Sequence, residues 1–163
     1  MLIVGIDAAA VETALGGGRL RCPHCASGLR PWGHSVEREV RLLDRSEGRR
    51  FRRSICRACT TTHVLIPEDT LLRRRDGVEV IGAALTAKTK GQGHRRIARA
   101  LDRPDSTVRG WLVRFASMAD DLREHFTRWA HALDPALAPI LPASSALAGA
   151  VEAIAVAARA ASL

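Results

Sequence analysis

Two cysteine pairs with the same spacing constrain this chain more than any other feature. Cys22 and Cys25 form one C-x-x-C pair, and Cys56 and Cys59 form a second pair after 30 intervening residues. A tetrahedral Zn²⁺ ion takes four thiolates at about 2.3 Å, and two turns that each present a cysteine pair can supply them. The gap is longer than the commonest one of roughly 15–20 residues, but it suits a ribbon with a long hairpin. The four cysteines therefore predict one structural Zn²⁺.

Other uses of paired cysteines fit the sequence less well. A thioredoxin-type redox pair sits in a βαβ unit, which the surrounding pattern lacks, and it needs only one pair. A catalytic zinc of the deaminase type needs an H-x-E tripeptide, and none stands upstream of either pair. His24, His34 and His63 are substitute ligands in principle. Because a complete set of four cysteines exists, we expect these histidines at the surface or hydrogen-bonded to the ligands.

The residue pattern changes from strand-like to helical along the chain. Residues 36–43, 50–55 and 61–66 are predicted strands, broken by the polar turn at residues 44–48. Before them, Asp7 is placed to cap a helix that Leu15 ends, because three glycines follow. From Val78 onward the apolar residues recur at helical spacing. Helices are predicted from residue 78 to the Lys88–Gly91 region, over residues 94–101, 106–118 and 120–133, and after the proline-containing linker 135–142.

These elements predict an α+β chain in four parts. A short N-terminal helix precedes a small four-cysteine zinc ribbon of antiparallel strands, and a homeodomain-like helix-turn-helix and a C-terminal helical extension follow. The predicted boundaries are residues 1–19, 20–67, 68–118 and 119–163.

The best-defined helical pattern is the predicted helix-turn-helix at residues 93–112. Ala98 is small where the two helices would cross, and the residues placed to fill the space between them are Ile97, Leu101, Val108 and Trp111. Asp102-Arg103-Pro104-Asp105 reads as the turn, in which Asp105 or Ser106 can cap the second helix.

The charge distribution points to a polyanionic partner. The net charge is +8, and 23 of the 25 basic residues are arginine, whose guanidinium matches phosphate geometry. The excess is +6 over residues 21–60 and +5 over residues 77–118, whereas residues 119–163 carry −2. Four thiolates around a divalent ion reduce the total excess to about +6. Double-stranded DNA is the expected partner, and a solvated arginine-rich face is the simpler alternative.

The candidate DNA contacts fall in two groups. Hydroxyls and free N–H groups at the start of the second helix would meet a phosphate, an arginine further along would reach a guanine edge, and ribbon arginines would clamp the backbone. The helical group comprises Ser106, Thr107, Arg109, Arg114, Arg95 and Arg96, and the ribbon group comprises Arg49, Arg50, Arg52 and Arg53.

Two stretches resemble known proteins. I-A-R-A-L-x-R-P-x-S-T-V-R-x-W-L at residues 97–112 resembles the helix-turn-helix at the front of many transposases and invertases. C-P-H-C, P-W-G-H, C-R-A-C and T-H-V-L-I-P, followed by that segment, are similar to an uncharacterised bacterial family of zinc-ribbon plus helix-turn-helix proteins over about residues 20–118. The resemblance implies DNA recognition. It implies no strand-transfer chemistry, because the 45 residues after Met118 leave no room for an RNase H-type catalytic domain.

Sequence-specific binding of double-stranded DNA is therefore the expected function, in a transcriptional regulator or a transposase-related orphan without a catalytic domain. The alternative is a protein–protein interaction module that uses the ribbon and the C-terminal helix. No nucleophile, acid–base pair or phosphate loop is recognisable, so neither enzymatic activity nor a small-molecule substrate is expected. Met1 to Ala10 lacks a basic region and residues 135–151 contain three prolines. We therefore expect neither a signal peptide nor a membrane span, and a cytoplasmic, nucleoid-associated location.

The alanine-rich C-terminus carries an apolar stripe. Leu147, Val151 and Ile154 recur at i, i+4 and i+7, as expected of a helix that buries one face. The stripe either packs onto the chain's own helices or forms a homodimer that pairs two recognition helices.

Overall fold

The chain folds into two compact units. The computed structural model describes residues 1–162, which divide into Met1–Val80 and a second unit that begins at Ile81. Over these residues the α+β class is confirmed, with six helices and sheets that are mainly antiparallel. No helix in the described part of the chain is long and apolar enough to cross a membrane.

The first unit contains a four-stranded sheet, a two-stranded sheet and one helix. Its elements in chain order are β1 (Leu2–Val4), α1 (Ala8–Gly16), β2 (Leu29–His34), β3 (Arg38–Arg41), β4 (Ser46–Arg49), β5 (Arg52–Cys56) and β6 (Thr62–Pro67). The larger sheet has the order β1-β6-β5-β2, in which β1 runs parallel to β6 and the other pairs are antiparallel. β3 and β4 form the separate antiparallel hairpin.

Helix α1 begins as the sequence predicts. The Asp7 carboxylate accepts hydrogen bonds from the N–H groups of Ala9 and Ala10, at 2.9 and 3.2 Å. Gly18 follows the helix with a φ of +68°, a conformation that favours glycine. Leu15 then packs into a core cluster that also contains two of the four cysteines. The helix is therefore fixed against the part of the fold that carries the cysteine pairs.

The hairpin has a small core of its own. Val40, Leu42 and Phe51 are buried together, and Val64 packs against them. The guanidinium of Arg38 lies 4.3 Å from the centre of the Phe51 ring, so a cation–π contact closes one side of this cluster.

The second unit is helical. α2 (Val78–Thr89) begins at the end of the first unit, and α3 (His94–Ala100), α4 (Asp105–Ala116), α5 (Ala119–Leu133) and α6 (Ala146–Ala160) follow. Ile97 and Ala98 of α3, and Val108, Trp111 and Leu112 of α4, are buried, as the sequence predicts. The predicted cap of α4 is wrong. Pro104 occupies the N-cap position, and no side chain bonds to the free N–H groups there.

Helix α6 packs on α5 through small residues. Ala150, Ala153 and Ala157 are fully buried, and Leu147 of the predicted stripe is also buried, whereas Val151 and Ile154 are only partly buried. Alanines allow two helices to approach closely, so the buried face is made mostly of alanine. Ala130 of α5 is buried in the same cluster.

Three strands were not predicted from the sequence. β2 contains Pro31 and Gly33, which interrupt strands, but β2 is an edge strand and a proline is tolerated there. β4 has no apolar residue and forms by pairing with β3. β1 depends on β6, a partner more than 60 residues away in the chain.

Candidate metal centre

Two similar turns bring the four cysteines together. Cys22 and Cys25 lie in the loop before β2, whereas Cys56 ends β5 and Cys59 lies in the turn before β6. In the first turn, the N–H of Ala26 bonds to the carbonyl of Cys22 at 2.8 Å. Ala26 has a φ of 58°.

The second turn repeats this geometry. Thr60 follows the second cysteine of its pair, as Ala26 does, and has a φ of 57°. The N–H of Arg57 bonds to the carbonyl of Gly28 at 3.1 Å, so the two turns are joined directly. The left-handed residue after each pair folds the chain back, and both pairs therefore face one point.

The sulfur positions fit one metal ion. The four Sγ atoms all lie within 4.8 Å of one another. The Cys22–Cys59 and Cys25–Cys56 sulfur pairs are 3.7 and 3.4 Å apart, too far for a disulfide bond of about 2.05 Å. A tetrahedron with bonds of about 2.3 Å has sulfur–sulfur edges of about 3.8 Å, close to these values. The predicted set, Cys22, Cys25, Cys56 and Cys59, could thus hold one metal ion.

The electrostatics of the four thiols favour a cation between them. The hydroxyl and N–H of Thr61 bond to the Cys59 sulfur and lower the pKa of that thiol to about 6. Cys25 behaves in the opposite way. The Ser27 N–H favours its thiolate, but the neighbouring Cys56 and Cys59 sulfurs outweigh this bond and raise the pKa of Cys25 to about 11. Four thiolates at this separation repel one another, and a divalent ion removes that cost.

His63 lies beside the cluster and not within it. It is 4% exposed, and its Nε2 is 3.3 Å from the Cys22 sulfur. Burial, followed by the charges of the amino terminus and His24, lowers the pKa of His63. An Nε2–H group can donate to a thiolate ligand and fix its orientation. His24 and His34 are exposed and lie outside the four-sulfur group.

The helical candidate contacts lie on two neighbouring helices. Arg95 and Arg96 are exposed in the first turn of α3, and Ser106 is exposed in the first turn of α4. Arg109 and Arg114 are exposed further along α4. Thr107, the remaining predicted contact, is partly buried. Within the described residues, none of these four arginines forms an ion pair with a carboxylate.

Two of the four predicted ribbon arginines are engaged inside the first unit. Arg49 donates to Asp69 at 2.7 Å, contacts Glu47 and has its pKa raised by hydrogen bonding to Asp69. Arg52 contacts Glu12 and donates to the carbonyl of Gly33 at 2.8 Å.

The other two ribbon arginines differ from this pair. Arg50 is exposed, and Arg53 is half-buried. The four arginines therefore do not form one continuous row that is free to meet phosphate, because Arg49 and Arg52 already have carboxylate partners. Contact between these four arginines and DNA stays a prediction.

Comparisons with known proteins found no relative of this chain. No family model, no curated protein and no solved structure matches the chain.

Proposed function

We propose that this chain is a zinc-stabilised protein that binds double-stranded DNA in a sequence-specific way. Zinc is the preferred metal because four thiolates in a tetrahedron form a soft, closed ligand set. Such a set leaves no position for water. The ion therefore has a structural role and contributes to folding rather than to catalysis.

The exposed side of α4 carries the DNA-binding proposal. Arg109 and Arg114 project from this helix without carboxylate partners among the described residues, while Val108 and Trp111 hold the opposite side in the core. No side chain caps the first turn, and the N–H groups of Asp105 and Ser106 are available to a phosphate, whereas the Thr107 N–H bonds to the Pro104 carbonyl at 3.0 Å. A helix anchored on one side and basic on the other can enter a major groove. We propose α3 and α4 as the two helices of the helix-turn-helix.

The resemblance to the front of transposases supports the same proposal. A regulator and a transposase-related orphan both need site recognition, and both fit this surface. The competing proposal is a protein-interaction module that uses the ribbon and the alanine-rich helix. The alanine face of α6 is buried against α5, so that module would have only the ribbon and the outer side of α6 to offer.

The proposal is tested by selecting binding sites from random duplex DNA with zinc-loaded protein. We expect one enriched sequence. On that sequence, Arg109→Ala should weaken binding by about 1–3 kcal/mol and relax base choice at one position. Arg128→Ala is the matched control, because it removes an exposed helical arginine on α5 that is paired with Glu124. Failure to enrich any sequence, or equal losses for both variants, would refute sequence-specific recognition by α4.

A further inference from the structure

An exposed tryptophan lies on the four-stranded sheet, which is the more basic of the two sheets. Trp32 lies on the edge strand β2 and is 47% exposed, although burial of an indole is normally favourable. The pairing of β2 with β5 shifts between Pro31 and His34, so Trp32 and Gly33 together face Arg53. This is a β-bulge, a feature that turns a side chain away from its regular position. Gly33 has the φ of +84° that the bulge requires.

Other residues hold this bulge in place. Arg52 donates a hydrogen bond to the carbonyl of Gly33 and contacts Glu12 of α1, so the backbone at Trp32 is fixed from inside the unit. The guanidinium of Arg30 lies 5.5 Å from the centre of the Trp32 ring. An arginine over an indole restricts the ring and places positive charge beside it. Trp32 is therefore presented in a supported position.

The strands that surround Trp32 carry no acidic residue, and the nearby Glu12 carboxylate of α1 is paired with Arg52. Residues 13–36 and 48–67, which include β2, β5 and β6 and both cysteine pairs, contain no Asp or Glu. Two arginines lie beside the indole, and a third lies at the start of the same strand. Arg30 lies on the same strand, Arg53 is opposite in register, and the Arg57 side chain approaches Gly28 at the start of β2. Among the described residues, none of these three forms an ion pair.

The charge of this surface indicates which class of ligand it binds. A protein partner with an apolar patch would not need two unpaired arginines beside an aromatic ring and a third at the start of the same strand, whereas a nucleic acid strand offers phosphates and flat bases together. Inside a duplex the bases are stacked on each other and their faces are not accessible. An exposed indole among arginines matches an unpaired base, which stacks on the ring while its neighbouring phosphates meet the guanidinium groups.

We propose that Arg30, Trp32, Arg53 and Arg57 form a second nucleic-acid surface, the Trp32 patch, which binds single-stranded nucleic acid by stacking a base on the indole. The patch belongs to the first unit and does not depend on the duplex recognition proposed for α4. It differs also from the predicted backbone clamp, since Arg49 and Arg52 have internal partners.

The test measures binding of the full zinc-loaded chain to fluorescein-labelled oligo(dT) and oligo(U) and to a labelled DNA duplex, by anisotropy at low salt. We expect Trp32→Ala to weaken binding of the single strands by about tenfold or more and to leave duplex binding unchanged. Trp32→Phe should retain most of the affinity, because it keeps an aromatic face. Stronger binding of oligo(dT) or of oligo(U) identifies the strand as DNA or RNA, and both results support stacking.

The matched control is Trp129→Ala, since Trp129 is 46% exposed on α5 and lies in the other unit. It should leave single-strand binding unchanged. Zinc content and circular dichroism check that each variant is folded. No single-strand binding by the wild type, equal losses for both tryptophan variants, or equal losses on single strands and duplex would overturn the Trp32 patch. The proposed function fails separately, through Arg109→Ala on the duplex.

Discussion

Removal of the metal should unfold the first unit and leave the second unit folded. Cys22 and Cys56 are 2% and 1% exposed, and they share a core cluster with Leu15, Leu29 and Leu65. Without an ion, that core would contain four sulfur atoms within 4.8 Å of one another and no charge to neutralise their ionised forms. The metal centre is thus part of the core itself.

The magnitude follows from the size of the unit. Met1–Val80 contains 80 residues, and at about 0.05–0.15 kcal/mol per residue its net stability is about 4–12 kcal/mol. A structural zinc ion bound by peptide thiolates contributes an apparent 10–16 kcal/mol or so at pH 7. The contribution of the ion equals or exceeds the net stability over most of this range. The metal-free unit should therefore be unfolded in buffer.

The assay is titration with a zinc chelator under reducing conditions. Metal content is measured by elemental analysis, and unfolding by far-UV circular dichroism and tryptophan fluorescence. One zinc ion per chain should be released as the signal of the sheet is lost and Trp32 becomes solvated. The helical signal of the second unit should persist, and zinc added back should restore the sheet.

A substitution of one cysteine ligand removes the metal without any chelator and so distinguishes the effect of metal loss from an effect of the chelator. Cys56→Ser should lower zinc content and unfold the first unit, whereas Thr60→Ala, an exposed change in the same turn, should retain the metal. A first unit that keeps its melting temperature after complete metal loss, or after Cys56→Ser, would refute the argument, because a contribution of this size cannot vanish without effect.

Three further perturbations test individual contacts. Arg52→Ala should lower the stability of the first unit by about 1–2 kcal/mol, because the Arg52 side chain bonds to Gly33 and Glu12 within that unit. The salt dependence of DNA binding should not change. A reduced salt slope would show that Arg52 contacts phosphate instead. Gly110→Ala should stabilise α4 by about 0.5–1 kcal/mol in thermal melts, because a Cβ there would lie at an ordinary 3.5 Å from the Arg114 side chain; a lower melting temperature would contradict this. Asp69→Asn should lower the free energy of unfolding in urea by about 1 kcal/mol, equally at pH 7 and pH 5. Arg49 lowers the Asp69 pKa below 3.8, so the stabilisation from the Asp69 carboxylate is lost only as the pH falls through that lower value. A destabilisation that is smaller at pH 5 than at pH 7 would contradict this reasoning.

Deleting residues 143–163 tests the origin of the C-terminal packing. If α6 acts only within its own chain, truncation should lower the melting temperature of the second unit and leave the mass in solution unchanged, because α5 loses its alanine partner face. Light scattering and calorimetry measure both quantities. A dimer that becomes a monomer with unchanged melting would instead establish the homodimer proposed from the sequence.

Local patterns explain why the cysteine cluster and the helices could be predicted. Two residues separate the cysteines of each pair, and that spacing determines the turn whatever the rest of the fold does. The helical spacing of Val108, Trp111 and Leu112 likewise identifies the buried side of α4 without knowledge of its partner.

Ion pairs between residues far apart in the chain could not be predicted from the sequence. Arg49 is bonded to Asp69 and Arg52 to Glu12, partners 20 and 40 positions away, and a count of charges along the chain cannot show such pairs. The buried face of α6 was predicted only in part. Leu147 of the predicted stripe is buried, but most of the buried face consists of alanines such as Ala153, which a search for large apolar residues does not identify.

The charges of the ribbon limit how strongly it can bind a nucleic acid strand. Residues 13–36 and 48–67 hold eight arginines and no acidic residue. Arg49 and Arg52 are paired with carboxylates, and a divalent ion with four thiolates adds two negative charges to the same region. About four positive charges remain for phosphate. At roughly 0.7 counterions released per phosphate contact on a single strand, the salt slope of the ribbon cannot exceed about 3, and the three arginines of the Trp32 patch account for about 2. A steeper slope on oligo(dT) would require arginines outside residues 13–36 and 48–67 to take part in the same complex.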